Sequence, residues 1–371
     1  MGEMTAVSMP VQMQTTGSGR NMRYPVLDAL RFVLALWVTV GHYAVFPLFA
    51  GADTATKLGR TLVHGWSSIV FGTPAVIVFF VISGFCIHLP FRNRKKLTIA
   101  RYYARRYTRI LIPLAGGIVA FKLLADKRIA LFDRDSILWS SILWSLLCEE
   151  IYYAIYPLLR HIRNRFGWTP LLILAFGAGS GVSASHGYAA DWSPYGPIGT
   201  SLILLPVWLL GCLLAEQVDT LPVISSSFVI WKWRFFCWFA SWVSEMLHFK
   251  FHVSLTHSMI LFGVVAYFWV KKELSYGMHK RPWGLLVSAG AWSYSLYLIH
   301  GPVIGFLNRW QPPNFGYIVN WCFACFLMLG TSYVFYRIVE RPSHEWARRI
   351  RVTEDLRPGP GTQKAYASST N

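Results

Sequence analysis

The sequence predicts an all-α polytopic membrane protein with about ten transmembrane helices and both termini cytoplasmic. Three observations carry this. First, 54% of the 371 residues are hydrophobic and 16% aromatic, only 14% are charged, and the mean hydropathy is +0.40. A soluble domain carries about a quarter charged residues. Second, the apolar residues come in runs of about 18 to 23, the length that crosses a bilayer core. Third, the basic residues are distributed unevenly between the runs. With the N-terminus inside, 26 Lys and Arg fall on cytoplasmic segments and 7 on exterior loops. That asymmetry sets orientation.

The elements follow in order. Residues 1–22 are rich in Ser, Thr, Gln and Gly and read as a disordered lead-in without a cleavable signal peptide. Residues 23–345 form the membrane domain, and 346–371 a basic Pro-Gly-Ser tail. The first span, 26–47, contains VLDALRFVLALWVTVGHYAVF; the second, 67–90, contains FFVISGFCIH. The third, 110–125, follows the basic stretch RYYARRYTRILIP, and the fourth, 137–159, holds WSLLCEEIYYAIYPLL. The fifth and sixth, 169–186 and 198–216, are plain apolar runs. The seventh, 235–250, is interrupted near its end by Glu245 and His248. The eighth, ninth and tenth are 253–270, 284–307 and 317–337, the ninth carrying SYSLYLIHGP.

The net charge of +18 and pI of about 9.8 invite a nucleic-acid reading. It fails because the basic residues alternate with spans and so fit a lipid-facing cytoplasmic distribution. The six cysteines lie within or beside apolar runs, so no disulfide framework is expected. Cys322-x-x-Cys325 lacks nearby His or Cys partners and reads as inert, and no metal site is expected. The chain is placed in the cell inner (plasma) membrane as a multi-pass protein.

Several residues stand out chemically. Arg31 and His42 are eleven residues apart, and eleven steps of about 100° bring both to one helix face. An ionisable pair inside a span points to function. His42 is a candidate general base or nucleophile; the bland alternative is a histidine packed against a carbonyl. Asp28, three residues before Arg31, is placed for a local ion pair. Glu149 and Glu150 are adjacent carboxylates about 100° apart on their helix, so they cannot serve one face equally. One is expected to meet a base or a substrate hydroxyl, the other a cation such as Arg31 or Arg109.

Arg105, Arg106 and Arg109, with Arg101, form a basic stretch at the membrane edge. It is either a positive-inside anchor or a fork for phosphates. Ser83-Gly84 in mid-span permits close helix approach or leaves a gap beside a ligand. His300 precedes Gly301-Pro302 and reads as a substrate ligand or a capping residue.

Taken together and in this order, these segments resemble the acyltransferase 3 family of integral-membrane O-acyltransferases. The likeness closes on VERP, Val339–Pro342, and covers residues 24 to 345. The resemblance implies ten spans that move an acyl group, usually acetyl, from cytoplasmic acyl-CoA to a hydroxyl. The acceptors it implies are carbohydrates or glycolipids: surface polysaccharide, lipopolysaccharide or lipo-oligosaccharide sugars, and in some members antibiotics. Arg31 and His42 match the family's Arg-x10-His motif, Arg105, Arg106 and Arg109 its Arg-rich motif, and Glu149-Glu150 its Glu-Glu step. Ala29 stands where Gly is common, and Cys148 where Val is usual.

The resemblance therefore implies catalytic roles for His42, Glu149 and Glu150, and donor binding by Arg31, Arg105, Arg106 and Arg109. Asp28, Ser83 and His300 are candidate substrate ligands. No cofactor is held permanently; acyl-CoA, most simply acetyl-CoA, is a substrate. Many relatives carry an appended esterase-like domain. This sequence shows a short tail instead, so transfer is expected to finish within the membrane core. The competing class is a proton-coupled transporter or flippase, which uses the same intramembrane residue types. The absence of a repeat and the cytoplasmic arginines count against it.

Overall fold

The computed structural model describes residues 24–43, 55–92, 96–125, 143–310 and 315–350. The expectations for residues 1–22, for 126–142 (the loop before the fourth span and its first residues), and for most of the C-terminal tail lie outside this range. Among the described residues the structure is helical and contains no strand. The α-helices are α1 (Pro25–His42), α2 (Lys57–Ile69), α3 (Thr73–His88), α4 (Ile99–Ala125), α5 (Trp144–Phe166), α6 (Trp168–Ala184) and α7 (Gly196–Gln217). They continue with α8 (Ser227–Phe249), α9 (Leu255–Gly277), α10 (Gly284–Ala289), α11 (Ser293–Trp310), α12 (Tyr317–Phe335) and α13 (Arg341–Arg349).

A helix occupies the described part of each of the ten predicted segments. Among the described residues, five regions are long and apolar enough to cross a membrane: Pro25–His42, Lys57–Phe91, Ile99–Ala125, Ser193–Thr220 and Tyr317–Arg349. Trp168–Ala184 is apolar but shorter.

The core is built on α3 and α7. Both are buried almost all round, as expected of helices apolar on every side. They cross backbone to backbone through two glycines. A Cβ on Gly84 would fall 2.0 Å from the Trp208 carbonyl oxygen, and one on Gly211 2.0 Å from that of Val81. The Ser83-Gly84 step thus serves close approach, which small residues permit between apolar helices. Around this pair, α1, α5, α6 and α9 pack inward, with α8 on α9. Further round, α11 bridges α1, α4 and α12. The outer faces of α4 and α12 carry exposed apolar side chains, among them Val119, Leu123, Phe326 and Val334, as lipid-facing surfaces do.

Three boundaries differ from expectation. The second span breaks at Val70–Gly72, and α3 opens with Pro74, whose missing N–H suits a helix start. The ninth breaks at a 3₁₀ turn, Gly290–Trp292, because Gly290 presses on α1: a Cβ there would fall 2.1 Å from the Asp28 carbonyl oxygen. The third span starts at Ile99 rather than 110. The arginine stretch is therefore the first three turns of α4, and α13 folds back along it.

Candidate active site

The predicted residues gather at two levels of the bundle. At one level, α1 ends at His42. The chain packs tightly here, since a Cβ on Gly41 would lie 2.5 Å from the Val70 carbonyl oxygen. Gly72 lies against the imidazole, with a Cβ built there 3.7 Å from His42 Cε1. The ring faces His300 of α11, with centroids 5.3 Å apart and planes at 39°. His42 Nδ1 donates to the Val38 carbonyl at 2.8 Å, and His300 Nδ1 to the Leu296 carbonyl at 3.1 Å. A carbonyl can only accept, so in each ring the proton sits on Nδ1 and Nε2 keeps its lone pair. His300 is fully buried, and its Nε2 has no partner. His42 lies on an exposed stretch of chain. Tyr297, one turn before His300, sits with its ring 5.8 Å from that imidazole and its hydroxyl 2.7 Å from Ser145 Oγ.

At the other level, Arg31 donates from Nη2 to Cys86 Sγ of α3 at 3.1 Å. Arg31 and His42 therefore both face α3, one at each end of it, as the eleven-residue spacing requires. The charges of Asp28 and Glu149 act on Arg31. Glu149 anchors a polar chain across three helices. Tyr153 donates to Glu149 Oε2 at 3.2 Å. Ser83 Oγ lies 2.9 Å from the Tyr153 hydroxyl, close to the Glu149 carboxyl. Trp208 Nε1 donates to Ser83 Oγ at 3.3 Å. Glu150 points elsewhere, and neither of its buried oxygens has a hydrogen-bond partner. The two carboxylates thus separate as their 100° offset requires. Glu149 accepts from Tyr153 at the level opposite His42, so it does not hold the imidazole.

The arginines also separate. Arg106 lies over the Tyr153 ring, 5.7 Å from its centroid. Arg109 donates from Nε to His344 Nε2 of α13 at 3.3 Å, within the field of Arg31 and Glu340. Glu340 is 1% exposed and accepts from the Ser295 backbone N–H at 3.0 Å and from the Ser295 hydroxyl. Arg105 is half-buried beside Arg106 and Arg348, without a carboxylate partner among the described residues. Of the three, Arg105 is the cation not committed to the protein interior.

Tyr153, Trp208, Tyr297, Glu340 and His344 were not singled out by sequence. Tyr153 and His344 were findable: each is four residues from a buried glutamate, Glu149 or Glu340, the spacing that puts two side chains on one helix face. Glu340 lies in the closing VERP. Nothing in the sequence marks Trp208 or Tyr297 among so many aromatics.

A family profile described as "Acyltransferase domain", Acyl_transf_3, matches residues 24–337. The chain belongs to the acyltransferase 3 family and is an acyl-transferring enzyme of membrane-helix architecture. A curated relative, Acyltransferase MdmB of Streptomyces mycarofaciens, is 26% identical over 403 residues, covering 93% of this chain and 98% of its own. No solved structure matches the chain significantly.

Proposed function

We propose that the protein is an O-acyltransferase that moves an acyl group, most simply acetyl, from acyl-CoA to a hydroxyl of a carbohydrate or glycolipid acceptor. The observation that carries this is the pair of facing imidazoles, each held through Nδ1 by a carbonyl of its own helix so that Nε2 is the nitrogen turned to acceptor duty. The acceptor hydroxyl gives its proton to His42 Nε2 as its oxygen attacks the thioester carbonyl. The C–S bond breaks, CoA leaves as thiolate, and the imidazolium returns the proton to sulfur. His42 serves as base because it is reachable from outside; the buried His300 shapes its surroundings. A base placed in this way contributes roughly 10²–10⁴-fold.

Donor binding falls to the opposite level. Arg105, with Arg106 and Arg348 beside it, suits the phosphates of CoA. Arg31 and Arg109 lie deeper and hold the wall past which the thioester passes. The basic contacts Arg92–Asp219 and Arg163–Glu216 lie at this same end, where His88 of the α3 terminus also reaches Glu216. Concentration of cations at one end supports a cytoplasmic placement of that end and of the termini; ten crossings of an inner (plasma) membrane belong to the same proposal.

The test uses the purified chain in lipid nanodiscs with radiolabelled acetyl-CoA and a panel of simple alkyl glycosides. The expected result is CoA release that depends on glycoside, with label on the glycoside. Absence of transfer to every glycoside, or glycan movement across a vesicle membrane that needs no CoA, overturns the proposal.

A further inference from the structure

Away from the two histidines, a second pair of buried groups lies at the same level of the bundle and has no assigned role. Glu245 and His248 sit three residues apart on α8, 5% and 0% exposed. The Glu245 carboxyl lies beside Ser68 of α2, and its Oε2 has no hydrogen-bond partner. His248 Nδ1 donates to the Val253 carbonyl at 2.9 Å, so Nε2 again carries the bare lone pair, and it too has no partner. Two buried polar atoms left unmet on one face are uncommon, because folded chains satisfy nearly all such groups.

Their location links them to the reaction. The end of α8 packs on the segment that cradles His42. Phe249 meets Phe71 with ring centroids 6.0 Å apart, and Trp238 Nε1 donates to the Ile69 carbonyl at 3.2 Å. Gly72, which lies against His42, is the next residue after Phe71. The cover over His248 is aromatic. Tyr188 stacks on it at 5.4 Å with planes 15° apart, while itself 48% exposed. His252 meets Tyr188 edge-on at 5.7 Å and holds φ at +54°, a conformation that is costly for a residue with a side chain and often found at ligand-binding segments.

We infer that Glu245 and His248, capped by Tyr188, form the subsite that receives the acceptor's hydroxyl groups next to the one acylated. His248 Nε2 accepts and the buried Glu245 carboxyl can accept or donate, so their complement is a pair of groups that do both, as neighbouring sugar hydroxyls are. Tyr188 covers His248, so its exposed ring is the flat surface that an entering pyranose meets first. Binding there holds the acceptor with its reacting hydroxyl toward His42 Nε2. This rests on the acyl transfer to glycosides proposed above.

The test compares wild type with Glu245→Gln, His248→Gln and Tyr188→Ala, using acetyl-CoA and the glycoside that the wild type acetylates fastest. Each variant is expected to raise the glycoside KM at least ten-fold, outweighing any loss of kcat, while the KM for acetyl-CoA stays within two-fold. Monodeoxy glycosides, discriminated by the wild type, are expected to become equal to the parent in the α8 variants. Tyr188→Ala, on an exposed stretch, guards against misfolding of the buried variants. An unchanged glycoside KM, or an equal rise in the acetyl-CoA KM, overturns the inference. If the wild type acetylates no glycoside while CoA still stabilises it thermally, the proposed acceptor class is wrong and the subsite falls with it.

Discussion

The two levels of the bundle carry the same residue types in opposite bonding states. Around Glu149 and Arg31 most polar groups are engaged: Tyr153, Ser83 and Trp208 form one chain, and Arg109, His344, Glu340 and Ser295 another. Around His42 and His300 each ring is held by one nitrogen only, and Nε2 of the buried His300 has no partner. Each ring is fixed through Nδ1 by a carbonyl of its own helix, and each Nε2 is kept as an acceptor. The first arrangement holds charges in place. The second keeps proton acceptors available. The contrast separates a region built to position the donor from one built to react.

The largest expected effect is at His42. His42→Ala should lower turnover by about 10³-fold or more, the upper part of the range for a positioned base, as read by CoA release from acetyl-CoA. Near-normal turnover would erase the distinction between the two levels. Next is Glu149→Gln, which removes the charge that faces Arg31. Loss of one partner from a buried charged network costs on the order of 3 kcal/mol, so the melting temperature in detergent should drop clearly. Arg105→Ala should raise the KM for acetyl-CoA by about ten-fold, the worth of one charge-assisted hydrogen bond of about 1.5 kcal/mol, without altering the melting temperature. The smallest effect belongs to Glu150→Gln. Its oxygens lack partners, so the melting temperature should stay level or rise; a fall as large as that for Glu149→Gln would show that the two carboxylates share one network.

Much of this contrast was legible in the sequence, but unevenly. Helical period alone put Arg31 and His42 on one face and separated Glu149 from Glu150, because those relations are internal to a helix. The partners across helices were not legible. Nothing local predicts that Trp208 reaches Ser83, that His42 faces His300, or that Arg109 meets His344 some 235 residues away. Those contacts depend on how α3, α7, α11 and α13 pack. Breaks at Val70–Gly72 and Gly290–Trp292 were also missed. Both lie in apolar runs; the first combines Gly72 and Pro74 with the close approach of Gly41 of α1 to Val70, and the second follows from Gly290 pressing on Asp28 of α1.

The most direct test of the separation is CoA-dependent thermal stabilisation of the purified protein, measured for wild type, His42→Ala and the double variant Arg105→Ala/Arg106→Ala. The account predicts that His42→Ala keeps the full stabilisation by CoA while transferring no acyl group, and that the arginine variant loses it. If His42→Ala loses the stabilisation and the arginine variant keeps it, donor binding and chemistry are not divided between the two levels as described.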